Sequence, residues 1–499
     1  VGDLEDNVTR CLEGIATAQR KGAELIVLPE MVIPGYHPKD ILLDDSFVEA
    51  LDEATSDLAK KCQKAPPIIV GTVLRHSAQT KMHPRLLNAA LLIQGGRKSL
   101  VAAKRILPVH DIYHESRWFI PGDYCPPLDI NGKKIGILYD SDLCLPKNDL
   151  DPTKELLSGG AELLICLSAS PYYRGAIEEH EMCARRHGVP LIWLNLVGGN
   201  DELVCYGNSF ALDEQGRLLA GLAAFREDVQ VVDMEQLEPH QVSKRNRLED
   251  TFNALVLGVR DFVWKNRLER AFLGLSGGID STLVGVIAVN ALGSENVIGV
   301  AIPSRYTDTR STAAARELAE TLGIGFEKVE IELLHAAAEE TLDDLLLEGA
   351  TAENVQARLR MMILMSFVNR YGGFLLNTSN KTELSLGYGT IYGDLAGAIS
   401  PIGDLTKPEV YEMARWISAE RTRIPNFILE REPSAELRPG QVDPFDYEVV
   451  GPHMEELVES NRSDHYLRSS EHKRQQGGII LKVSEKSFGS GRLFPITRR

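Results

Sequence analysis

The run Ala271-Phe272-Leu273-Gly274-Leu275 ends in Ser276-Gly277-Gly278-Ile279-Asp280-Ser281, and this junction constrains the second half of the chain more than any other feature. The run reads as a buried strand, and Ser281-Thr282-Leu283 opens a helix. Two adjacent glycines let the backbone turn sharply and approach a ligand with no Cβ in the way. Backbone N–H groups converge at such a turn and the helix adds its positive end, so the turn is an anion cradle. After it come helix 282–292, strand 297–302, helix 309–323, strand 326–331, a helical hairpin and strand 374–378. That alternation predicts a doubly wound parallel sheet, whose ligands lie beyond the carboxyl ends of the strands, where Ser276 stands.

The turn lacks the Gly-Lys-Ser/Thr ending of the Walker loop. It resembles instead the pyrophosphate loop of enzymes that split ATP into AMP and pyrophosphate. Three polar clusters follow: Glu353 to Arg360 opening a helix, Thr378 to Glu383 after a strand, and Tyr388 to Asp394 with Lys407 beyond. Together with PSRYT, PSAELRPGQ and KVSEKSFGSGRLFPI, they resemble the synthetase domain of NAD synthetases from about residue 250 to the end. The resemblance implies ATP-dependent adenylation of deamido-NAD, then displacement of AMP by ammonia. It also implies Mg²⁺ as cofactor, with Asp280 and Glu383 as its carboxylate ligands and Lys407 completing the catalytic set. Gly274, Leu275, Ser276, Gly277, Gly278, Ile279, Asp280 and Ser281 would hold ATP, with Thr378 and Lys407. Asn354, Arg358, Glu383, Tyr388, Asp394 and Lys486 match the places that bind deamido-NAD. Read from the residues alone, the alternative is that Asp280 and Glu383 are salt-bridge partners of Lys381 and Arg305.

The first half alternates amphipathic helices, such as residues 8–21, with strand-like runs at 24–30, 67–71, 89–93, 135–139, 163–167 and 191–196. Asn131-Gly132 and Gln94-Gly95-Gly96 predict hairpins within a mixed sheet. Leu28-Pro29-Glu30, Gly35-Tyr36-His37-Pro38, Lys104 to Pro108, Glu115 to Phe119, Ser168 to Tyr172 and Asn195 to Leu203 resemble the nitrilase superfamily, specifically the glutaminase domain fused to many NAD synthetases. The resemblance implies an αββα sandwich over residues 1–225, with Glu30 as general base and Lys104 as oxyanion stabiliser. The family's nucleophilic Cys just after a strand is matched by Asp140, and Ala176 stands where active relatives usually carry a further Lys. A carboxylate attacks an amide poorly beside the like charge of Glu30, and Lys104 is placed to pair with Asp140. The expectation is therefore a degenerate glutaminase half, with free ammonia as nitrogen donor. The alternatives are a functional or relocated glutaminase nucleophile, another pyrophosphate-loop ligase, or a silent regulatory subunit. Cys144 and Cys166 are the nearest thiols, and Cys166 reads as core.

Residues 226–248, acidic and polar from Glu227 to Lys244, read as a linker between this half and a synthetase domain at 249–499. A net charge of −17 argues against nucleic acid or an anionic membrane as partner. No apolar run reaches membrane-spanning length. Seven cysteines without metal-type spacing suit a reducing cytoplasm with no disulfide framework. The resemblance further implies a homo-oligomer.

Overall fold

The computed structural model of the chain describes all residues except 77–85, 147–148, 235–244, 347–348, 463, 475, 478–481, 485–492 and 498–499. Its residues form two compact units, Val1–Asn266 with Lys482–Arg499, and Arg267–Leu481.

In the first unit, β1 (Ile26–Val27), β2 (Ile68–Arg75), β3 (Leu86–Gln94) and β4 (Arg97–Ala103) lie side by side in chain order. A second sheet has six strands: β5 (Leu128–Ile130), β6 (Lys133–Tyr139), β7 (Leu163–Ser168), β8 (Leu191–Asn195), β11 (Phe210–Leu212) and β12 (Leu218–Gly221). A separate hairpin joins β9 (Val197–Asn200) to β10 (Leu203–Tyr206). Strands β6, β7 and β8 are parallel, and β5 pairs antiparallel with β6 through Asn131-Gly132. Both residues of that turn have positive φ, 53° and 83°, as do Gly95 and Gly96 between β3 and β4. Such turns carry the twist of a two-residue hairpin.

Ile69, Ala90, Leu92 and Ala102 of the first sheet share one apolar cluster with Ile135, Ile137, Tyr139, Leu163, Ile165 and Leu167 of the second. The two sheets are thus packed face to face. Helices Leu4–Arg20 and Asp45–Lys61 cover the outer face of the first sheet through Val8, Ile15, Leu51 and Leu58. Helices Pro152–Ser158 and Ala176–Ala184 cover the second through Leu156 and Ala184. The result is the expected αββα sandwich. Helix Arg247–Lys265 joins this unit because Ala254 and Leu257 bury against Tyr206 and Phe225, and Asp261 accepts the Gly199 N–H at 2.8 Å.

The second unit holds a four-stranded sheet in the order β15 (Gly325–Lys328), β14 (Val297–Ala301), β13 (Ala271–Gly274), β16 (Phe374–Leu375). Every neighbouring pair is parallel. Helix Ile279–Leu292 follows β13 and is apolar almost all round, with nine of its residues buried from Ile279 to Ala288. A helix of that kind belongs in a core.

Two cysteines depart from expectation. Cys144 and Cys183 form a disulfide, with Cα atoms 5.7 Å apart, tying helix Asp140–Cys144 to helix Ala176–Ala184. Their separation of 39 residues gives no sequence signature, because the fold alone brings the two helices together. Among the described residues no helix is long and apolar enough to cross a membrane.

Candidate functional site

In the second unit the chain leaves β13, turns at Ser276-Gly277-Gly278 and enters helix Ile279–Leu292. Gly277 has φ +78°, and a Cβ there would lie 2.2 Å from the Ser311 carbonyl oxygen. Only glycine fits both the conformation and the close approach. The Ser281 hydroxyl and the Thr282 hydroxyl both donate to the Gly278 carbonyl, at 3.1 and 2.8 Å, which fixes the turn from within. No side chain caps the helix start, so its first N–H groups remain offered to an anion. Leu275 and Ile279 are core residues, so any contact they make with a ligand is through backbone. Thr378 lies beyond the end of β16, beside the turn that follows β13.

Asp280, Glu383 and Lys407 meet beside this turn. Lys407 Nζ lies 2.5 Å from Asp280 Oδ2 and 3.3 Å from Glu383 Oε1. Asn380 completes the cluster: its side-chain amide donates to Asp280 Oδ1 at 2.8 Å, and its backbone N–H to Glu383 Oε2 at 3.3 Å. Asn380 and Glu383 form a capping box at the start of helix Lys381–Leu386. Burial pushes the Glu383 carboxyl up to about 7 against the opposing charge of Lys407, and Asp280 adds to the rise. Burial would lower the Lys407 ammonium, but Asp280 and Glu383 outweigh it and raise the group. Arg305 and Lys381 are not the partners of these carboxylates. Arg305 pairs with Glu332 and Glu339, and Lys381 with Asp404 at 3.1 Å. Each is carried on a segment that reaches other acids first.

Asn354, Arg358 and Asp394 converge on the turn at Thr390-Ile391. Asn354 Oδ1 accepts the Thr390 hydroxyl at 2.7 Å, Arg358 Nε donates to the Ile391 carbonyl at 3.2 Å, and Asp394 Oδ1 accepts the Thr390 N–H at 2.7 Å. The Tyr388 hydroxyl donates to Asp443 at 2.9 Å. Lys486 lies outside the described residues. Asn380 and Asp443 had no assigned role in the sequence. The Asn-x-x-Glu capping spacing was a readable signal for Asn380, whereas nothing in the sequence pointed to Asp443.

In the first unit, Lys104 is 2 % exposed and faces three carboxylates. Its Nζ lies 3.1 Å from Glu30, 3.0 Å from Glu115 and 3.5 Å from Asp140. Glu30 sits in a turn after β1 that packs on β2 at Gly71, where a Cβ would meet the Pro29 carbonyl at 2.3 Å. Asp140 begins a helix directly after β6. Asp142 of that helix accepts the N–H groups of Arg105 and Ile106 at 3.0 and 2.8 Å, which draws Lys104 toward Asp140. Ser170 donates to Asp140 Oδ2 at 2.6 Å. Glu115 is the missed member of this cluster. It belongs to a stretch that carried the resemblance, but a residue eleven positions past Lys104 gives no sign of facing it.

One ammonium cannot neutralise three carboxylates, two of them buried. Burial pushes Glu30 up to about 7 and Glu115 up to about 8, against the pull of Lys104. Burial would also raise Asp140, but Lys104 and the Ser170 hydroxyl outweigh it and hold that group below its ordinary range. Asp140 is thus an ionised carboxylate beside carboxyls that keep protons near neutrality. Burial pushes Cys11 and Cys205 up to about 12 and raises Cys62, Cys125 and Cys166, while Cys144 and Cys183 are bridged.

A profile described as NAD synthase matches residues 251–487, and one described as carbon-nitrogen hydrolase matches residues 1–238. The glutamine-dependent NAD(+) synthetase of Synechocystis sp. is 36% identical over 100% of this chain and 97% of its own. That of Thermotoga maritima is 34% identical, again over 100% and 97%. The structure of the glutamine-dependent NAD+ synthetase from Acinetobacter baumannii in complex with ADP superposes with a TM-score of 0.83, at 28% identity over 100% of this chain and 96% of that one.

Proposed function

We infer what the chain does from one premise: it belongs to the glutamine-dependent NAD(+) synthetase family, with a carbon-nitrogen hydrolase half fused to an NAD synthase half. It is an ATP-dependent amide ligase that makes NAD. The acid it amidates is deamido-NAD, whose carboxylate needs a leaving group before nitrogen can displace anything. ATP supplies that group. The carboxylate oxygen bonds to the α-phosphorus, pyrophosphate leaves with the electron pair, and the nitrogen nucleophile then expels AMP from the acyl-adenylate.

The observation that carries this reading is the Asp280–Lys407–Glu383 cluster beside an uncapped helix start after a glycine turn. Two carboxylates with phosphate oxygens make an all-oxygen donor set, and that chemistry fits Mg²⁺. Asp280 and Glu383 would hold the ion, which when bound offsets charge gathering on the departing pyrophosphate. Lys407 adds a cation at the same place. The backbone of 274–281 orients the phosphates, with Thr378 beside it. Asn354, Arg358, Tyr388 and Asp394 would bind deamido-NAD, and Lys486 joins them by motif.

For the nitrogen donor the relatives' names support glutamine, against the expectation of free ammonia and of a degenerate first half. Glutamine is the donor we propose. With every cysteine bridged or held as a thiol, the amide opens by attack of water rather than through a thioester. The water oxygen bonds to the side-chain carbonyl carbon and its proton passes to Asp140. The C–N bond then breaks and Glu30 protonates the departing nitrogen, giving glutamate and ammonia. The test is NAD formation with glutamine or ammonium as sole donor, in the wild-type protein and in Asp140→Asn. Both donors should serve the wild type, and only ammonium the variant. A wild type that ignores glutamine removes the donor assignment and leaves the ligase standing. A wild type that makes no NAD with either donor removes the ligase reading.

A further inference from the structure

Every oxygen of the two carboxylates proposed to hold the metal already has a donor from the protein. Asp280 Oδ1 accepts Asn380 Nδ2 and Asp280 Oδ2 accepts Lys407 Nζ; Glu383 Oε1 accepts Lys407 Nζ and Glu383 Oε2 accepts the Asn380 N–H. The ammonium of Lys407 lies between the two carboxylates. Its backbone cannot yield easily. Lys407 opens helix Lys407–Glu420, its N–H donates to the Thr382 hydroxyl at 3.1 Å, and Thr406 and Glu409 close a capping box around it. Only the side chain is free to move, and the Tyr447 ring lies 5.3 Å from Nζ on one side.

We propose that Lys407 holds the place of the divalent cation between Asp280 and Glu383 until nucleotide arrives, so that metal enters this site as its ATP complex and not as the free ion. The proposal rests on the ligase reading above. A free divalent ion would have to displace an ammonium whose side chain is 4 % exposed, leaving it buried without a counter-ion. It would also have to shed water in exchange for only two carboxylates, since among the described residues no group of three or more His, Cys, Asp or Glu side chains could hold a metal. A polyphosphate changes both terms of that exchange. It gives the displaced ammonium a new anionic partner within reach of the same side chain, and it brings the metal's remaining oxygen ligands with it. Lys407 is then a positioning residue that sets the order of binding, as well as a cation near the pyrophosphate.

Mn²⁺ is the probe, its free concentration read from its electron paramagnetic resonance signal in the full-length protein. Binding is assigned to this site by its loss in Asp280→Asn. Wild type should bind Mn²⁺ at least about tenfold more tightly with a non-hydrolysable ATP analogue present than without it, a difference worth about 1.4 kcal/mol. Lys407→Met should bind Mn²⁺ alone at least about tenfold more tightly than wild type does, and Lys407→Gln serves if the Met variant does not fold. Wild type binding Mn²⁺ alone as tightly as with the analogue, or as tightly as the variants, overturns the proposal and leaves the ligase reading in place. No Mn²⁺ bound by wild type even with the analogue removes the metal site itself, and this proposal with it.

Discussion

At the scale of residues, both sites are built on a lysine facing more negative charge than it can balance, and each arrangement has a measurable consequence. Asp280→Ala should abolish pyrophosphate release from ATP and deamido-NAD while the circular dichroism spectrum and melting curve stay close to wild type. Lys407 retains Glu383 as partner, so the fold keeps its ion pair. Near-normal turnover would remove Asp280 from the metal site. In the first unit, Lys104→Met strips the counter-charge from three carboxylates, Glu30 and Glu115 among them buried, a loss of about 3–5 kcal/mol at pH 8. The pH dependence has a definite sign. Glu30 and Glu115 already hold their protons to about 7 and 8, and losing Lys104 raises them further. Between the unfolded and folded values the native state binds more protons than the unfolded chain, so stability falls as pH rises. The variant's deficit should therefore be large at pH 8 and narrow at pH 5, where both carboxyls are protonated in the fold. Equal losses of melting temperature at the two pH values would contradict the charge imbalance.

At the scale of elements, the glycine turn and the disulfide-linked helix pair make separate demands. Gly277→Ala puts a Cβ against the Ser311 carbonyl in a conformation that L residues rarely adopt, a strain of about 1–3 kcal/mol. It should weaken ATP-analogue binding in a calorimetric titration more than it lowers the melting temperature, because the turn is the proposed phosphate cradle. Unchanged nucleotide affinity would show that the cradle lies elsewhere. The disulfide closes a span of 39 residues, and chain entropy alone assigns it about 4 kcal/mol. Cys144→Ser should lower the melting temperature of the first unit, and adding reductant to that variant should change nothing more. How legible these elements were follows from range. Strand β6 and the turn after β13 were readable because apolar runs and paired glycines sit next to each other in sequence. Asn380 was half-readable, through its capping spacing with Glu383. Glu115 beside Lys104 and Cys183 beside Cys144 were not readable, since only sheet packing and helix placement bring them together. Likewise Arg305 and Lys381 looked like partners for Asp280 and Glu383 on charge alone, and the fold gave them other acids.

At the scale of the whole molecule, each unit carries its own cluster of a lysine with carboxylates on its own sheet system. The sandwich presents Glu30, Lys104, Glu115 and Asp140, and the parallel sheet presents the glycine turn with Asp280, Glu383 and Lys407. Their joining in one chain makes sense for a ligase that needs nitrogen delivered as well as carboxylate activated. The reaction proposed for the second unit is the premise for the rest: activation must proceed through an adenylate, with the triphosphate cut between its α and β phosphorus atoms. Product stoichiometry tests this most directly. With ATP, Mg²⁺, deamido-NAD and a nitrogen donor, separated and quantified products should show one AMP and one pyrophosphate for each NAD formed. ADP and inorganic phosphate appearing in step with NAD would contradict the account, because the γ-phosphate and not the adenylyl group would then have been transferred.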